Sequence, residues 1–123
     1  MKDSKSSTIL LVDDDVFILN TYRELLSFSG FCSVLTATDG VEALSVMKEH
    51  PVDLLITDIN MPRMGGVELI QELRVSYPDL PILVISGYLK SEHLPTLDPF
   101  HVDGIFCKPF RVADLIAKIQ SLL

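Results

Sequence analysis

Positive charge is scarce in this chain. Ten Lys and Arg stand against seventeen Asp and Glu in 123 residues, a formal net charge of -7, and the sequence pI is about 4.7. Binding to a nucleic-acid backbone needs clustered Lys and Arg, and so does attraction to an anionic membrane. Neither is therefore expected as a partner. Cysteine is scarce too: Cys32 and Cys107 are the only two, and they form no metal-ligand spacing. With no export signal, both are expected as reduced, core-filling thiols in cytoplasm. The opening segment MKDSKSST holds no apolar stretch, so it reads as neither signal peptide nor membrane span. Residues 1–7 are expected to be a disordered tail. No repeat, low-complexity tract or linker divides the remainder, so 8–123 reads as one domain.

What the chain does have is apolar sequence, 48% of the whole, enough for one well-filled core. Five short apolar runs stand out: TILLVD (8–13), SVLTAT (33–38), VDLLITD (52–58), PILVIS (81–86) and DGIFCK (103–108). The first, third and fourth are nearly continuous in Leu, Ile and Val. Strands covered on both faces read this way, and such strands are usually parallel. Helical periodicity fills the gaps. It runs from Val16 to Phe28 (Phe17, Leu19, Tyr22, Leu25, Leu26, Phe28) and from Val41 to His50 (Ala43, Leu44, Met47). It returns from Val67 to Tyr77 (Leu69, Ile70, Leu73) and from Val112 to Leu123 (Leu115, Ile116, Ile119). Pro51 and Pro78 mark stops. Strands alternating with helices predict an α/β sheet wound by right-handed crossovers. Pro95 and Pro99 forbid a long regular helix between the fourth and fifth strands, so a short or distorted helix is expected there.

In such a sheet, functional groups gather beyond the carboxyl ends of the strands. Strand one ends at Asp13-Asp14, strand three at Asp58, strand four at Ser86 and strand five at Lys108. Each has a plain structural reading alone: Asp14 or Asp15 as a helix cap, Asp58 and Ser86 as turn formers, Lys108 as a solvated strand end. All five landing on one rim points instead to a site. Clustered carboxylates without His or thiolate are hard oxygen ligands, suited to Mg²⁺ with its waters and a phosphate oxygen. A cation would make the acidic crowding tolerable and leave room for a phosphoryl group. Lys108 would add a compact positive charge, Ser86 one hydrogen bond, and Asp58 the nucleophile that forms an acyl phosphate.

The motifs ILLVDDD, LLITDINMPRMGG, PILVISG and CKPF resemble the response-regulator receiver domain of two-component signalling, over about Thr8 to Leu123. The resemblance implies a flavodoxin-like, doubly wound sheet of five parallel strands in order 2-1-3-4-5. It implies a signalling domain rather than an enzyme, cytoplasmic, with Asp58 as phosphoacceptor from a histidine kinase or histidine phosphotransfer protein. Asp13, Asp14, Asp58 and the main-chain carbonyl of Asn60 match the metal set, for Mg²⁺ with Mn²⁺ able to substitute. Ser86 and Lys108 match the hydroxyl and lysine that meet the phosphoryl group, and Lys108-Pro109 matches a cis bond. Ser86, Gly87, Tyr88 and Ile105 fall in the switch region. A bulky Tyr88 is expected to shield the acyl phosphate from water.

This sequence also departs from the family pattern. Ile105 stands where the family carries its switch aromatic, with Phe106 expected on the other face. Pro95 and Pro99 fall in the helix that normally belongs to the output face. Gly65-Gly66 replaces a common Asp-Gly, which predicts a more mobile loop. Two other readings stay open: a degenerate receiver that binds partners without phosphate, and a small phosphatase using Asp13-x-Asp15. A flavin site would want a Ser/Thr/Gly-rich phosphate loop in place of three carboxylates. The downstream partner is unspecified, and a switch-dependent homodimer is left open.

Overall fold

The computed structural model describes residues 7–30, 33–59, 61, 64–86, 102–107 and 110–123, with Ser86 described for its main chain alone. Five strands are present: β1 (Thr8–Val12), β2 (Ser33–Ala37), β3 (Leu54–Asp58), β4 (Ile82–Ser86) and β5 (Gly104–Cys107). Among the described residues four helices accompany them: α1 (Val16–Phe28), α2 (Gly40–Glu49), α3 (Gly66–Ser76) and α4 (Val112–Leu122). The strands form one sheet in order β2-β1-β3-β4-β5, and every neighbouring pair is parallel. The helix expected between β4 and β5, and the Lys108-Pro109 bond, lie outside the described residues.

The continuous apolar runs follow from burial on both faces. Successive side chains in a strand point to opposite sides, and the two cores divide by that parity. Leu10, Val12, Leu55, Ile82 and Val84 pack with Ala43 and Met47 of α2 and with Leu69, Ile70 and Leu73 of α3. Ile9, Leu11, Leu54, Ile56, Leu83 and Ile85 pack with Leu19 and Leu26 of α1 and with Leu115 and Ile119 of α4. Three residues of α1 depart from the sequence reading. Phe17, Leu25 and Phe28 fit the apolar periodicity, yet they are 79%, 39% and 95% exposed. Leu19, Tyr22 and Leu26, at i, i+3 and i+7, form the stripe that faces the sheet. Phe17 and Phe28 fall on the other side of the helix.

Cys107 is exposed rather than core-filling. It is the last residue of β5, a strand at one edge of the sheet. Ser7, placed in the tail by the sequence, is buried at 1% exposure.

Two strand starts are fastened in the same way. The Asp53 N–H donates to the Thr8 carbonyl at 2.8 Å, and Asp53 Oδ2 accepts the Thr8 N–H at 2.8 Å. Asp103 repeats this on Ile82, with its N–H on the carbonyl at 2.8 Å and its Oδ2 on the N–H at 2.8 Å. Arg74 adds to the second clasp. Its Nη1 donates to the Leu80 carbonyl at 2.6 Å, and its Nη2 lies 3.9 Å from Asp103 Oδ2. These clasps fix the lower end of the sheet, opposite the rim where the acids gather.

Candidate functional site

Sheet register builds the acidic cluster. Ile9 faces Leu54 and Val12 faces Thr57, a constant offset of 45 residues between β1 and β3. Carried one residue on, that offset sets Asp13 beside Asp58. Parity also gives both side chains the same face. One carboxylate oxygen each from Asp13, Asp14 and Asp58 lies within 4.8 Å of the others. Asp13 is 3% and Asp58 9% exposed, whereas Asp14 is exposed. The site therefore has a buried floor and an open mouth.

Local hydrogen bonds aim these groups. Asp13 Oδ1 accepts the Asp15 N–H at 2.9 Å. Asp58 Oδ1 accepts the Ile59 N–H at 2.7 Å, and Thr57 Oγ1 donates to the Asp58 carbonyl at 2.8 Å. Asp15 has a separate task. It caps α1, its Oδ1 accepting from Phe17 N at 3.0 Å and Ile18 N at 3.3 Å. The third acid of the DDD run is thus held at the helix start, turned to the backbone rather than to the cluster.

The cluster is electrostatically costly as it stands. Two carboxylates about 5 Å apart repel by on the order of 3 kcal/mol at an effective dielectric near 20, and solvent at Asp14 screens its share. The donor set is all oxygen and all anionic. That composition fits a hard divalent cation such as Mg²⁺, bound by a few carboxylates with water in the remaining positions.

The loop leaving Asp58 is closed tightly. The Gly66 N–H donates to the Ile59 carbonyl at 2.8 Å, and a methyl group on Gly66 would overlap the Asp58 carbonyl oxygen. Gly65 is the N-cap of α3 at φ -76°, with no side chain to accept a capping bond. Among the described glycines only Gly30 has a positive φ, 101°. The glycine pair thus serves close approach at Gly66 rather than unusual backbone angles. The sequence reading missed this role, and the presence of two adjacent glycines after Asp58 was its only signal.

The other expected site residues are placed less fully. Ser86 ends β4, its main chain paired with Cys107 of β5. Lys108 follows Cys107 in sequence, and it lies outside the described residues, as do Asn60, Gly87 and Tyr88. Ile105 packs toward α2 and α3, while Phe106 faces α1 and α4, as strand alternation predicts. There Phe106 meets Phe110, ring centroids 5.5 Å apart, and Phe110 stacks on Tyr22 at 6.0 Å.

The family model of the response regulator receiver domain matches residues 9–120. The chain belongs to the response-regulator receiver family. Among curated relatives, response regulator MprA of Mycobacterium leprae is 42% identical over 116 residues, covering 94% of this chain and 50% of the relative. MprA of Mycobacterium tuberculosis is 41% identical over 119 residues, covering 96% and 51%. The receiver thus spans about half the length of these relatives. Among solved structures, chemotaxis protein CheY4 of Vibrio cholerae is 31% identical at a TM-score of 0.88, covering 96% of this chain and 99% of that one. TrrA of Thermotoga maritima, solved in complex with Mg²⁺ and BeF, is 32% identical at a TM-score of 0.85, covering 95% and 99%. Membership places this receiver among the signalling domains of two-component systems. No helix among its described residues is long and apolar enough to cross a membrane.

Proposed function

We propose that this receiver accepts a phosphoryl group on Asp58 from a phosphohistidine donor, on a histidine kinase or histidine phosphotransfer protein, in a Mg²⁺-dependent reaction. The observation that supports this best is the meeting of Asp13, Asp14 and Asp58 within 4.8 Å at the carboxyl ends of β1 and β3. Asp13, Asp14 and Asp58 would hold the cation, with the Asn60 carbonyl as a further ligand. Bound there, Mg²⁺ would neutralise the acidic cluster and the incoming phosphoryl oxygens. Asp58 is the nucleophile. Its Oδ1 takes the Ile59 N–H, which fixes the plane of the carboxylate. The carboxylate attacks phosphorus, the P–N bond to imidazole breaks, and an acyl phosphate forms. Asp13 is pinned by the Asp15 N–H, so it keeps its place without needing the cation.

Ser86 and Lys108 complete the reading. Lys108 offers a point charge and Ser86 a donor to the phosphoryl oxygens. Movement of Ser86 toward the new charge would alter the Gly87-Tyr88 stretch and so a partner-binding surface. Ile105 carries no ring, so the switch has no aromatic rotamer to use at that position.

The test is incubation with phosphoramidate or acetyl phosphate, with and without Mg²⁺, followed by intact mass measurement. One added phosphoryl group is expected, dependent on Mg²⁺ and lost in Asp58→Asn. An adduct that persists in Asp58→Asn removes the assignment. A wild-type chain that never takes phosphate favours the phosphorylation-independent binding module instead.

A further inference from the structure

The end of β2 and the start of α2, either side of the short turn that joins them, touch both halves of the acidic cluster. On one side, the Ala37 carbonyl accepts the Asp13 N–H at 3.1 Å. On the other, the Gly40 N–H donates to the Met64 carbonyl at 3.1 Å. Met64 lies in the loop that leaves Asp58, just before the Gly66–Ile59 bond that closes it. The turn is tied by its own hydrogen bonds. Asp39, 4% exposed, caps α2 through Oδ1 on the Glu42 N–H at 2.8 Å. The Glu42 carboxylate reaches back to Thr38, accepting its Oγ1 at 2.7 Å and its N–H at 3.3 Å. This reciprocal arrangement is a variant of the capping box, shifted by one residue. The contact at Gly40 leaves no room for a side chain. A methyl group there would stand 2.6 Å from Met64 Cγ and 2.8 Å from its Cβ and Sδ.

We propose that Gly40 and Met64 are positioning residues for cation uptake, the β2–α2 turn acting as a strut that sets the Asp58 loop against Asp13. The proposal rests on the Mg²⁺ reading above. Neither residue needs to touch the cation. Gly40 acts on the loop through its bond to the Met64 carbonyl and its close packing against the Met64 side chain, and the end of β2 acts through the Asp13 N–H. Ligands held by such supports lose affinity when a support moves.

The experiment is calorimetric titration of the intact chain with MgCl₂ at constant ionic strength, comparing wild type, Gly40→Ala, Met64→Gly, Gly40→Ala/Met64→Gly and Met47→Ala. Met47 is a buried α2 residue, 5% exposed, about two helical turns along from Gly40, so its truncation tests whether loosening the same core is enough to weaken uptake. Gly40→Ala is expected to bind Mg²⁺ about tenfold more weakly than wild type. Met64→Gly removes the contact without creating a clash, and should weaken uptake by roughly threefold or more. In the double variant the new methyl occupies the space left by Met64, and affinity should recover at least about threefold over Gly40→Ala. Met47→Ala should stay within about twofold of wild type. Unchanged affinity in both single variants overturns the strut, as does a double variant no tighter than Gly40→Ala, or an equal loss in Met47→Ala. Absence of Mg²⁺ uptake by the wild type overturns the cation reading and the strut with it, so the two failures are told apart by the wild-type titration.

Discussion

Gly66 sits against Asp58 so closely that a single methyl group on it would overlap the Asp58 carbonyl oxygen. The first residue of α3 thereby sets where the proposed phosphoacceptor's strand ends. In Gly66→Ala either α3 or the end of β3 must shift, since the obstacle is backbone. Overpacking of this kind costs about 1–3 kcal/mol. Urea unfolding should show that loss, and phosphorylation by acetyl phosphate should fall as well.

Crowded carboxylates make a prediction about sign. Asp13→Asn keeps an oxygen for the Asp15 N–H and removes one charge from the trio. Without metal, this variant should be more stable than wild type by on the order of 1 kcal/mol. With Mg²⁺ at a hundredfold excess over its dissociation constant, wild type should gain about 2.7 kcal/mol, and the variant far less. Thermal unfolding with and without Mg²⁺ should therefore reverse the order of the two proteins.

The clasps at the lower sheet edge should matter for stability and not for phosphate. Asp53→Ala strips the Thr8 N–H of its acceptor, and Asp103→Ala does so for Ile82. Each loss should cost about 1–3 kcal/mol in urea unfolding. Asp103→Asn keeps the acceptor and loses only the half-exposed pair with Arg74, a change of about 0–1 kcal/mol. Mg²⁺ affinity should be unchanged in all three.

Phe110 joins β5 to α1 through its contacts with Phe106 and Tyr22. Phe110→Ala should lose about 2–4 kcal/mol, somewhat below a fully buried ring because the site is half-exposed. Phe110→Leu should recover more than half of it. Chemical denaturation would measure both.

The sheet was legible because parity is a strict rule. Unbroken apolar runs at residues 9–12, 54–56 and 82–85 announced two covered faces, and each strand boundary agreed with the sequence to within two residues. The start of α1 was legible because Asp15 is a good cap. The acidic trio was legible because it falls at strand ends, where winding brings distant segments together. Other features were hidden. Phe17 and Phe28 looked like core until the helix was oriented by Leu19 and Leu26. Gly40, Met64 and Gly66 act by distances between segments, which a linear chain does not display. The paired clasps did leave a trace. Val52-Asp53 and Val102-Asp103 repeat one dipeptide just ahead of two strands, and its meaning emerges only from the bonds to Thr8 and Ile82.

Finally, the fixed offset between β1 and β3 works like a vernier scale. Residues can be inserted at Ser29 and Gly30, exposed at the end of α1, without altering which acids meet. A single insertion inside β1 would slide the scale by one notch, turn Asp13 to the opposite side of the sheet, and set the apolar Val12 beside Asp58. Indel scanning across residues 8–58 should therefore give a map of tolerance in turns and abrupt intolerance within the two strands.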